Sequence, residues 1–277
     1  MAHTAVDRGD RRRRVATSLL ATELVRDAAQ RLAGQGIEVM PVKGALLQHW
    51  LYDDPSERHL TDVDLLVRSA DLVPAVECLM RGGYERTRHR SVGGRVMHTP
   101  FGLALDLHSQ LFDRARYRMP TAELFARSTE DRVLYEATVR LPSPLDAYAH
   151  LIGKFGSDHL SARSHAQLDE IARMSTRLHA RPETVARHLH HCGLRRAARY
   201  TLPLAYEASG DTFALDVHGC LRPDPIGRAL IAIANPVLAR TPANSRAGAL
   251  VGHLLNDSVP RGVRSGARAI AQRAVRR

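Results

Sequence analysis

Lysine is almost missing from this sequence. Among 40 lysines and arginines in 277 residues, only Lys43 and Lys154 are lysine. Cysteine is scarce too. Cys78, Cys192 and Cys220 lie far apart, which fits neither a disulfide framework nor a zinc site. A reducing compartment, the cytoplasm, is therefore the expected location. Aromatic residues make up 5%, with one tryptophan, and none cluster with basic residues, which argues against a base-stacking RNA platform. No apolar run reaches the roughly 18 residues that span a bilayer, so no membrane is expected. The N-terminus is arginine-rich and lacks the apolar stretch of a signal peptide. Wholesale disorder is excluded, because 44% of the residues are hydrophobic and 25% charged.

A net charge of +11 invites a nucleic-acid reading. Its placement weakens that reading. Residues 1–14 carry Arg8 and Arg11 to Arg14 against Asp7 and Asp10, and residues 261–277 carry six arginines and no acid. Most of the excess is thus terminal, where charge runs are usually solvated tails or frayed helix ends. RNA remains a possible partner through those termini. The two lysines draw attention for the opposite reason. An ammonium is a compact point charge suited to phosphate oxygens, whereas guanidinium is a planar fork.

Residues 12–33 read as an amphipathic helix through Val15, Leu19, Thr22, Val25, Ala29 and Leu32. A short β-type run from Ile37 to Val42 follows, then a helix from Gly44 to Leu51. Asp62 to Val67 is a strand with a continuous apolar end, which predicts burial on both faces. A helix built on Leu72, Val73, Val76, Leu79 and Met80 ends at Gly82-Gly83. Residues 84–90 and 95–99 form a predicted hairpin, and 102–107 a further strand. Beyond about residue 140, marked by Pro142 and Pro144, the periodicity is helical. The expected class is α+β, with a domain of residues 1–140 and an all-helical domain of residues 141–277.

Asp62 and Asp64 stand at i and i+2 on a strand, so both project from one face. Side-by-side carboxylates repel unless a cation lies between them. A hard divalent ion meets that need and takes further ligands from water and substrate phosphates. Asp106, near the end of another predicted strand, can supply a third carboxylate. Three such carboxylates suit in-line phosphoryl or nucleotidyl transfer. His108 follows at i+2 and can orient the carboxylate or meet the acceptor. Upstream, Lys43-Gly44 joins a strand to a helix start, where free N–H groups bind phosphate and glycine permits close approach. Arg58 can also reach a triphosphate. His188, His190, His191 and Cys192 splay around a helix axis, which argues against zinc.

The run VKGALLQHWLYDDPSERHLTDVDLLV, followed later by LDLH, resembles the uncharacterised bacterial nucleotidyltransferase-like proteins of the polymerase-β superfamily. The matching residues are Lys43-Gly44, Tyr52, Arg58, Asp62-Val63-Asp64, Gly83-Tyr84 and Asp106-Leu107-His108, within about residues 38–110. The resemblance implies a minimal nucleotidyltransferase fold, a small mixed sheet with flanking helices, with a helical domain closing over the nucleotide. It implies transfer of an NMP from an NTP, ATP first among them, with Mg²⁺ or else Mn²⁺. Asp62, Asp64 and Asp106 would hold the metal, with Asp106 also the base, and Lys43 and Gly44 would hold phosphates. Lys154 is a candidate for the triphosphate by analogy with antibiotic-modifying relatives. One departure is the Lys-Gly turn itself, where the wider superfamily has Gly-Ser or Gly-Gly. The acceptor would be a hydroxyl or similar group on a small molecule, peptide or protein. The rival readings are a toxin-like enzyme acting on tRNA or other RNA, and a nucleotide-binding module without turnover.

Overall fold

The structure is a computed structural model. It describes residues 8–88, 93–113, 116–157, 165–222 and 224–240, with 253, 255–258, 260, 262–263 and 266–267. Most of the C-terminal arginine run expected to form a tail falls outside the described residues. The N-terminal arginines sit at a helix end, the other of the two expected settings. Arg11 to Arg14 lie on the first turns of helix α1 (Arg8–Ala33), which begins earlier than the apolar periodicity predicts. Asp10 in the first turn favours the helix dipole, and Arg14 Nε donates to its Oδ2 one turn on, at 2.9 Å.

The chain divides into two compact units, residues 1–111 with 120–143, and residues 112–119 with 144–277. In the first, α1 leads to β1 (Val39–Val42), α2 (Lys43–Leu51), β2 (Asp62–Val67) and α3 (Leu72–Arg81). A short β3 (Glu85–Arg86), β4 (Gly94–His98) and β5 (Ala104–His108) follow, with part of the predicted hairpin, residues 89–92, outside the described residues. Helix α4 (Thr121–Arg127) and a ribbon of β6 (Thr129–Asp131) and β7 (Val139–Leu141) complete the unit. The five strands order as β1-β2-β5-β4-β3. Only β2 and β5 run parallel, so the sheet is mixed.

Strand alternation gives the sheet two different faces. Val39, Val63, Leu65, Val67, Met97, Leu105 and Leu107 join one apolar core with Leu24, Ala28 and Leu32 of α1 and Val76 and Leu79 of α3. Asp62, Asp64, Asp106 and His108 therefore project from the opposite face. Val25, Ala29 and Leu32 of the predicted stripe on α1 are buried, but its N-terminal part differs: Val15 and Leu19 are exposed, whereas Ser18 and Ala21 are buried. Polar contacts hold that N-terminal part. Ser18 Oγ donates to Oε1 of the buried Gln48 on α2 at 2.9 Å, and Thr22 Oγ1 meets His49 Nε2 at 3.2 Å. Tyr135 Oη donates to Ala45 O at 2.7 Å, a further tie to the first turn of α2.

Tyr84 Oη donates to Asp27 Oδ2 at 2.8 Å, joining the end of α3 to α1. Burial pushes the Asp27 carboxyl up, but the hydrogen bonds from Arg31 and Tyr84 outweigh it and leave the carboxyl below its ordinary range. Because the folded value is the lower one, this carboxylate stabilises the fold above the ordinary range, and the contribution is lost as pH falls through its folded value. Tyr84→Phe should cost about 1–2 kcal/mol in urea unfolding at neutral pH. The cost should shrink below about pH 3.8, and a pH-independent difference would contradict the assignment.

The second unit is helical: α5 (Pro144–Ser157), α6 (His165–Ser175), α7 (Pro182–His191), α8 (Arg195–Ser209), α9 (Thr212–Cys220) and α10 (Pro225–Arg240). Tyr148, Ile152, Phe155, Ile171, Leu189 and Leu202 are among its fully buried side chains. Gly153 and Gly156 on α5 admit Phe112, Leu194 and Ala197, which a Cβ would meet within 3.2 Å. Of the four residues His188, His190, His191 and Cys192, the second and third are exposed, whereas His188 and Cys192, four residues apart, share a face: His188 Nε2 lies 3.6 Å from Cys192 Sγ and 3.1 Å from Asp146 Oδ1.

Candidate active site

Parallel pairing of β2 with β5 builds the site. Asp64 is in register with Asp106, and Leu66 with His108. Paired residues of adjacent strands project to the same side, so the acids of one strand lie beside those of the other. His108 Nε2 stands 2.7 Å from Asp64 Oδ1 and 3.2 Å from Asp106 Oδ2, bridging the two carboxylates. Lys43 Nζ donates to Asp64 Oδ1 at 2.5 Å and lies 3.3 Å from His108 Nε2. Four of the side chains singled out in the sequence are thus in direct contact.

Asp64 is the deepest of them, 4% exposed. Burial alone would raise its pKa, but the His108 hydrogen bond and the Lys43 charge outweigh burial and pull it down to about 2. Asp62 behaves in the opposite way. Burial first, and then the negative charge of Asp64, push its carboxyl above the ordinary range. Its Oδ1 accepts from Thr61 Oγ1 at 3.0 Å. Asp62 therefore shares the face but stands apart from the tight group of Asp64, Asp106 and His108.

Lys43 and Gly44 occupy the junction of β1 and α2. Lys43 has φ 51°, in the left-handed region that a side-chain-bearing residue rarely adopts. Gly44 has no such conformation, and its role is space. A Cβ there would lie 2.5 Å from Arg58 Nη1 and 2.6 Å from Leu60 Cδ2, so the missing side chain lets Arg58 lie against the start of α2. The N-cap residue, Val42, offers no side-chain hydrogen bond, and the first turn contains no acid. The end of α2 beside Lys43 and Arg58 is accordingly suited to an anion. Lys154 lies in the last turn of α5, in the helical unit.

Among the described residues, Asp64, Asp106 and His108 are the one group of three donors arranged for an ion, with ligand atoms within 4.8 Å of one another. The lysine ammonium already seated on Asp64 shows that this corner of the sheet accepts a cation. Two carboxylates and an imidazole beside a third carboxylate fit a divalent ion. Residues 8–210 match a family described as uncharacterised nucleotidyltransferase. The chain belongs to that nucleotidyltransferase family. The match spans most of the sequence and contains every site residue named above. No curated protein matches the sequence. Among the described residues, no helix is long and apolar enough to cross a membrane.

Two features of this candidate site were not foreseen from residue types. The left-handed backbone of Lys43 has no marker in the sequence, because lysine gives no sign of a positive φ. The support behind α2, from Ser18, Gln48 and Tyr135, joins residues 30 to 90 positions apart. Spacing along one element cannot reveal such contacts.

Proposed function

We propose that this protein transfers an NMP, AMP first among them, from an NTP to a hydroxyl or similar acceptor on a small molecule, peptide or protein. The observation that carries this reading is the contact of Asp64, Asp106, His108 and Lys43 beside the start of α2, which has no side-chain cap. Asp64 and Asp106, with His108, would hold a divalent ion, Mg²⁺ or Mn²⁺, and Asp62 would complete its surroundings. When bound, that ion would neutralise phosphate charge and orient the α-phosphate for in-line attack. Asp106, the less buried of the two paired acids, would accept the proton of the attacking hydroxyl. His108, bridging both carboxylates, would hold their rotamers. The N–H groups of α2, with Lys43 and Arg58, would bind the phosphates that leave as pyrophosphate. We take residues 1–140 as the catalytic part, with residues 141–277 a helical part whose Lys154 would also bind the triphosphate.

Equilibrium binding of a non-hydrolysable ATP analogue, with and without Mn²⁺, tests the nucleotide half of this proposal. Binding should require the ion, and Asp106→Asn should weaken it by about 10-fold or more. Ion-independent binding, unchanged in Asp106→Asn, would refute the site.

A further inference from the structure

We infer that Lys43 is a resident counter-ion of the acid cluster, and that Lys43 and the divalent ion are alternative occupants of Asp64. The inference rests on the metal-binding reading above and deepens it. The ammonium lies on Asp64 Oδ1, the same oxygen that His108 Nε2 approaches. An ion coordinated to that oxygen at about 2.1 Å would stand no more than about 4.6 Å from Nζ, given the 2.5 Å ion pair. Two cations that close on one buried carboxylate repel strongly. One of them has to leave.

The backbone supports the same conclusion. Lysine in the left-handed region is disfavoured, and the turn needs no side chain there. A glycine would adopt φ 51° without strain. The ion pair with Asp64, which is buried and has two other carboxylates nearby, offsets that strain. The lysine also has somewhere to go. Its side chain is 24% exposed, its stem is flexible, and it begins α2, whose first-turn N–H groups would bind the phosphates in the reading above. An incoming triphosphate would draw the ammonium off Asp64 as its accompanying ion takes the vacated oxygen. By linkage, the ion alone should bind weakly, because it must first displace Lys43.

The test is a titration of the full-length protein with Mn²⁺ and no nucleotide, following free Mn²⁺ by electron paramagnetic resonance. Two variants are compared with wild type. Lys43→Gly fits the left-handed backbone, and Lys43→Met keeps the stem without the charge. Circular dichroism confirms that each is folded, and Lys43→Gly decides if Lys43→Met is not. The expected result is Mn²⁺ affinity at least about 10-fold tighter than wild type. Equal or weaker affinity in a folded Lys43→Gly protein would overturn the inference. No nucleotide is present, so the outcome is separable from the proposed reaction. Tighter binding in a protein that transfers no NMP would uphold the counter-ion and sink the reaction, and unchanged binding in an active enzyme would do the reverse.

Discussion

Asp64→Asn is expected to lower nucleotidyl transfer by about 10³-fold or more. Losing one group aimed at transition-state charge typically costs about 10²–10³-fold. Asp64 has more than one partner. Its Oδ1 receives both Lys43 and His108, and the His108 ring reaches Asp106 from there. The amide is nearly isosteric, so the fold should persist while the negative charge is lost. Lys43 would then lose its ion-pair partner, and His108 would face an amide instead of a carboxylate. The measurement is the single-turnover rate with saturating nucleotide and ion, beside an unfolding curve. A rate within 10-fold of wild type, in a folded protein, would remove Asp64 from the chemistry.

Asp224→Ala is expected to destabilise the helical unit by about 3–5 kcal/mol, the usual cost of stranding one member of a buried ion pair. Arg196 is only 4% exposed. Its Nε donates to Asp224 Oδ2 at 2.6 Å, and Arg195 Nη2 reaches the same oxygen at 3.0 Å. Gly227 N donates to the other oxygen, at 2.9 Å, and so joins the start of α10 to α8 through this one carboxylate. Removing it leaves the Arg196 guanidinium buried, with Asn256 O, at 2.9 Å, still accepting from its Nη1. Asp224→Asn, which keeps the shape and one acceptor oxygen, should cost less. Urea midpoints of both variants check this, and a loss below about 1 kcal/mol for Asp224→Ala would show that the network contributes little.

What could be read in advance follows the range of the interactions involved. Strands β2 and β5 were legible because the alternation of apolar and acidic residues is a local signal. So was the mixed α+β class, because the period changes from strand-like to helical along the chain. The contact of Asp64 with Asp106 depends on a parallel pairing in one register, and a shift by one residue would move every side chain to the other face. The apolar face of α1 was misjudged at Val15 and Leu19. Spacing alone could not show that Ser18 is drawn inward by Gln48, a partner 30 residues away. The Lys43-Gly44 turn was visible as a departure from the expected Gly-Ser or Gly-Gly. Its consequence, a strained lysine seated on the buried aspartate, emerges only once the sheet brings Asp64 beneath the start of α2.

The most direct test of the central claim is a comparison of two labels. The protein is incubated with Mg²⁺ or Mn²⁺, fractions of cell extract as acceptor, and ATP labelled at either the α- or the γ-phosphate. A nucleotidyltransferase moves the α-label into the acceptor and releases the γ-label as pyrophosphate, and both events should vanish in Asp64→Asn. Transfer of the γ-label instead, or α-label transfer undiminished in that variant, would contradict the account.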